Sequence, residues 1–189
     1  MKKAIPKLII AAIIYLALYP LGSSAGLIHP ACYAYVGTLL PLLFAFVYLP
    51  AAANWQRFGA AAILNGFVLI FGYIAGEGNL SFAVGMIALT VIAEIVRGVC
   101  GYETLKGIKL SFLPFAFSFY TYSAHWWFDK ESSLAAALEE MPAGYAKKME
   151  TVIENIPLLI VMLVLTVPVA LLGMFIVCKV MKKQVTLLK

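Results

Sequence analysis

Long apolar runs separated by brief polar punctuation dominate the chain. Runs of spanning length occupy residues 5–21, 33–53, 58–75, 80–99, 105–128 and 156–181. A hydrocarbon layer about 30 Å thick needs roughly 20 such residues in a helix. None of the runs alternates polar and apolar positions as a membrane β-barrel strand does, and a lone strand leaves its backbone unsatisfied in lipid. The pattern predicts an all-α membrane protein with six transmembrane helices in a compact bundle, residues 1–189 forming a single transmembrane domain. The start pairs Lys2 and Lys3 with an apolar core and with Ser23, Ser24 and Ala25, the outline of a signal peptide. Five further runs follow, which favours a first helix.

Only residues 129–155 form a connection of any length. Leu134, Ala135, Leu138 and Met141 recur at helical spacing, Pro142-Ala143-Gly144 interrupts them, and residues 145–153 resume the pattern. Two short helices over the outer mouth are expected between spans five and six. A solvated connection is the plainer reading, but compact proteins seldom spend 27 residues on one.

Charge adds an orientation. Six spans place both termini on one face, and with them Lys2, Lys3, Lys7, Arg57, Arg97, Lys106, Lys109, Lys179, Lys182, Lys183 and Lys189. The other face has only Lys130, Lys147 and Lys148, beside Glu77, Asp129, Glu131, Glu139, Glu140, Glu150 and Glu154. Eleven basic residues against three make the first face cytoplasmic. The expected location is a bacterial cytoplasmic membrane, crossed several times, with both termini inside. Composition agrees: 63% of residues are hydrophobic and 12% charged, and the mean hydropathy is +0.96, which excludes a water-soluble domain. The net charge of +5 reflects topology, and its scatter over separate loops argues against nucleic acid as a partner.

Candidate chemistry gathers at the acidic end. His29, Tyr33 and Tyr35 flank the first outer loop, Tyr73 closes the third run, and Tyr122, His125 and Trp126 end the fifth. An interfacial aromatic belt accounts for some of these rings. Helical spacing nevertheless puts Tyr122, Trp126 and Asp129 on one stripe and Thr121, His125 and Phe128 on the next, so some face inward. His29, Tyr33, Tyr73, Tyr122, His125 and Trp126 are therefore candidate substrate-binding residues, since an aromatic pocket with a few polar groups suits a small molecule. His125 and Asp129, with His29, also admit a metal reading; Asp129 as a helix N-cap and the histidines as hydrogen-bonding groups are simpler. No metal or cofactor is expected.

Within the spans, Glu94 and Arg97 stand three residues apart, which favours an ion pair with Arg97 reaching toward the interface, either structural or coupling. Asn65 is placed to bond across helices or to line a cavity. Pro41, Pro50, Pro114 and Pro168 fall inside the runs as expected kinks. Cys32, Cys100 and Cys178 form no metal or redox pattern. No hydrolase, zinc-protease or nucleotide-binding motif is present, so an enzyme is not expected. The alternatives are a binding subunit powered by partners and a self-sufficient secondary transporter or channel.

The Ala-rich first run, the MPAGYAKKM segment of the long outer loop, the IPLLIVMLVL entry to the last span and the basic KVMKKQ end together resemble the Trep_Strep group of bacterial integral membrane proteins, related to the substrate-binding S components of energy-coupling factor transporters. That resemblance implies a six-helix subunit that captures a micronutrient (a vitamin, a haem-like molecule or a metal chelate) on its outer side. It also implies docking on a transmembrane coupling subunit served by two cytoplasmic ATPases. The site would lie in residues 24–33, 76–80 and 129–155. The coupling face would involve Ala11 and Ala12, with Glu94 and Arg97 as further candidates. The small-residue pattern of that face is incomplete here, because Leu16 follows Ala12 by four residues.

Overall fold

A computed structural model describes residues 4–186 and 188; Lys2, Lys3 and Lys189, counted above among the basic residues, lie outside them. The described residues are all-helical. In chain order they form α1 (Ala4–Ser23), a 3-10 turn (Ser24–Leu27), α2 (Pro30–Tyr35), a second 3-10 turn (Val36–Thr38) and α3 (Pro41–Asn54). Then come α4 (Ala60–Ile74), α5 (Leu80–Cys100), α6 (Leu105–Phe115), α7 (Ser118–Tyr122) and α8 (His125–Phe128). The chain closes with α9 (Lys130–Glu140), α10 (Tyr145–Glu154), α11 (Ile156–Val180) and α12 (Lys182–Val185).

Four stretches are long and apolar enough to cross a membrane: Ala4–Leu27, Pro30–Asn54, Leu80–Cys100 and Ile156–Val180. The other two expected runs are realised differently. Helix α4 is apolar but has 15 residues, a rise of about 22 Å. Residues 105–128 are not one helix but three, with breaks after Phe115 and Tyr122. The first break follows Pro114, which has no N–H to give the helix ladder. Pro41 is not a kink either, since it stands at the first position of α3, where a missing N–H costs nothing. Pro50 and Pro168 do lie inside helices, as does Pro20.

Helix α3 is the axis of the packing, touching α1, α4, α6 and α11. Its span is 67% buried, against 28% for each of the other three long spans. Those three therefore keep one face inward and offer the rest outward. Helix α1 shows the division: Leu8, Ala11, Ala12, Tyr15 and Tyr19 are buried, whereas Ile5, Ile9, Ile10, Ile13 and Ile14 are exposed. Small buried residues let backbones approach, as between α11 and α3, where Gly173 leaves no space for a Cβ beside the Pro41 carbonyl.

Rings fill the core lengthwise. Tyr15 meets Phe44 and Phe115, Tyr19 meets Phe119 and Tyr122, and Tyr122 in turn meets Phe82 edge-on at 5.6 Å. Their hydroxyls are spent internally: Tyr15 Oη donates to Asn65 Oδ1 at 3.0 Å, and Asn65 Nδ2 donates to Thr90 Oγ1 at 2.8 Å. Asn65 thus joins α1, α4 and α5. The start of α1 and helix α12 lie at one end, because Lys7 near the start of α1 donates to Asn54 at the end of α3, and α12 packs on α3. Helices α8, α9 and α10 cover the opposite end, where α10 rests Ala146, Met149 and Ile153 inward and lies on α2.

Candidate functional site

The end opposite the start of α1 and helix α12 holds a cavity of about 880 Å³. Three stretches enclose it: the turn after α1 with the start of α2, residues 75–80 between α4 and α5, and residues 122–145. Gly76 supports the middle stretch with a φ of +84°, a left-handed conformation open to glycine.

Four of the six candidate binding residues line this cavity: Tyr33, Tyr122, His125 and Trp126. Tyr33 and Trp126 stand edge to face with centroids 6.2 Å apart, and His125 lies against Trp126 at 4.9 Å. The break between α7 and α8 changes the geometry expected from a continuous helix. It turns His125 toward the same space as Tyr122 and Trp126, whereas Thr121 and Phe128 line a separate shallow groove. His29 and Tyr73 are outside the cavity wall. His29 instead caps α2, its Nδ1 accepting from the Ala31 N–H at 3.1 Å, and the Tyr73 hydroxyl donates to the Asn79 carbonyl at 3.1 Å.

His125 is held by the covering segment. Its Nδ1 lies 2.8 Å from Ser133 Oγ, and that hydroxyl is also 3.2 Å from the His125 carbonyl, which ties α8 to α9. Asp129 occupies the N-cap position of α9, but its side chain makes no capping bond; Oδ2 accepts from Ser81 Oγ at 3.3 Å and so links α9 to α5. Among the described residues, no three His, Cys, Asp or Glu side chains come close enough to hold one metal ion.

The structure shows which face of α9 turns inward. Ser133 and Ala137 are buried, whereas Leu138 is 73% exposed. Ser133 and Ala137 line the cavity, and Ala137 also joins the hydrophobic core, with Leu134 packed against it. Glu77, Ser133, Ala136, Glu140 and Tyr145 also line the cavity; they fall within residues 76–80 and 129–155, the stretches that the resemblance implied, but no spacing marked them individually. The covering pair is fastened by Lys130, whose Nζ lies 2.8 Å from Glu154 and 3.4 Å from Glu150. These contacts raise the Lys130 ammonium above its ordinary value of 10.5.

The four residues expected at a coupling surface are all buried. Ala11 and Ala12 face the molecule's own core. Arg97 does not extend to the interface: it is fully buried, and its Nη2 donates to the carbonyls of Ala52, Trp55 and Tyr102 at 2.6, 2.8 and 3.1 Å. Glu94 accepts from the N–H groups of Gly59, Ala61 and Ala62 at 3.0, 2.7 and 3.3 Å. Each charge thus answers backbone groups at a helix end instead of bonding directly to the other. The carboxylate meets the positive start of α4, and the guanidinium meets the negative end of α3.

A family model described as a hypothetical bacterial integral membrane protein (Trep_Strep) matches residues 3–186. No curated protein and no protein of solved structure matches the chain.

Proposed function

The chain belongs to the Trep_Strep family of bacterial integral membrane proteins, and from that premise we propose that it is a non-enzymatic substrate-binding subunit of an importer of the energy-coupling factor type. In this reading the chain crosses the bacterial cytoplasmic membrane six times, the short α4 and the broken α6–α8 segment each making one crossing. The termini lie inside, on the basic side, and a micronutrient enters from the acidic side. A transmembrane coupling subunit and two cytoplasmic ATPases supply the energy.

The observation that carries the reading is the 880 Å³ cavity at the end remote from the start of α1 and helix α12, walled by aromatic rings and covered by α9 and α10. Its volume falls in the upper part of the range of small-molecule sites, roughly 300–1,000 Å³. A self-sufficient transporter is less well supported, because Glu94 and Arg97, the ionisable pair within the spans, are both occupied by helix-end backbone. The face of α1 open to a coupling subunit is the isoleucine stripe of Ile5, Ile9, Ile10, Ile13 and Ile14, not the buried alanines.

Affinity purification of the tagged full chain from its host, followed by mass spectrometry, tests both halves of the proposal. The coupling subunit, the ATPases and a retained small molecule are expected together. Ala136→Trp, on an exposed position of the cavity wall, should eliminate the small molecule while preserving partners and thermal stability. A chain recovered alone and empty from repeated preparations would overturn it.

A further inference from the structure

We infer that the cavity selects an organic cation: an amine-bearing, partly aromatic molecule. The inference deepens the binding-subunit reading and rests on it.

Charge on the cavity wall has one sign. Glu77 lines it from the stretch between α4 and α5, Asp129 and Glu140 from the two ends of α9, and no lysine or arginine does. Lys130, which follows Asp129 in the chain, is engaged with Glu150 and Glu154 of α10. Among the described residues neither the Glu77 nor the Glu140 carboxylate has an ion-pair partner, and Asp129 has only the Ser81 hydroxyl on one oxygen. A cavity with low-dielectric walls focuses such a field and concentrates cations within it. Because the carboxylates do not converge on a point, they suit charge spread over an organic molecule and not a bare metal ion.

A second observation, independent of the acids, points the same way: aromatic side chains share the wall. Tyr33, Tyr122 and Trp126 supply the ring faces and edges that attract a cation or stack on a planar group. The same wall disfavours a haem-like ligand, whose carboxylates would face carboxylates with no basic residue to receive them.

The test uses the full chain in detergent and a size-matched triplet of indoles: tryptamine, N-acetyltryptamine and indole-3-propionate. Binding is read by thermal shift and calorimetry. Tryptamine should bind tightest, and Glu77→Gln, Asp129→Asn and Glu140→Gln combined should weaken it roughly tenfold. All three positions are exposed, so the triple variant should melt as the parent does without ligand. Equal binding of the triplet, or preference for the propionate, would overturn the charge assignment and leave the cavity as a site. Failure of all three to bind would overturn the cavity reading itself, and this inference with it.

Discussion

Glu94 and Arg97 are the residues whose sequence reading and structural role differ most. An ion pair needs only proximity, whereas capping needs a helix end aimed at the charge. Gly59 provides that at α4, adopting a φ of +107° so that the helix begins facing the Glu94 carboxylate. Glu94→Gln should cost about 1–2 kcal/mol, because the amide keeps one acceptor and loses the charge at the helix start. Arg97→Ala should cost about 3–5 kcal/mol, leaving three carbonyls and an acidic neighbour unanswered in a dry interior. Arg97→Lys should recover only part of that, since a point charge cannot reproduce the guanidinium fork. Thermal unfolding in detergent measures all three; an unchanged melting point for Arg97→Ala would refute the capping role.

At the scale of elements, α9 and α10 cover the cavity as a pair, α10 resting Ala146, Met149 and Ile153 inward. Their turn contains Gly144 at a φ of +83°, and Lys130 spans from one helix to the other. The Lys130 ammonium is raised by its bonds to the folded partner helix, so its contribution is fully present below the ordinary lysine value of 10.5. It is lost as pH rises through the higher folded value. Hydrogen exchange in α9 and α10 should therefore differ between wild type and Lys130→Met at pH 8, and the difference should vanish in strong alkali. A difference that persists at high pH would show that the tie is not ionic.

The whole molecule separates two ends that the charge pattern already distinguishes. Basic residues gather where α1 begins and α11 finishes, and acidic residues gather around the cavity. In a cysteine-free background, Ser132→Cys should react with a membrane-impermeant maleimide added to intact cells. Lys106→Cys should react only after the membrane is opened. The reverse pattern would invert the orientation, and equal reactivity at both positions would break the six-crossing topology.

Helical state, membrane class, the covering helices and the general region of the site were legible from the chain, because they follow from run lengths, Pro and Gly punctuation and the placement of charge. Asn65 was legible too, since a lone amide at depth must find a partner. What could not be read was the inward face of each helix. In water the apolar stripe identifies it, but α1 is as apolar on the side of Ile9 and Ile13 as on the side of Ala12 and Tyr15. Lipid and protein interior reward the same residues, so packing alone decided that Ala11 and Ala12 lie inside, that α3 is the axis, and that the break before α8 brings His125 beside Trp126. The sequence determined what the helices are made of and which end is acidic; the tertiary structure decided which side chains meet across the cavity.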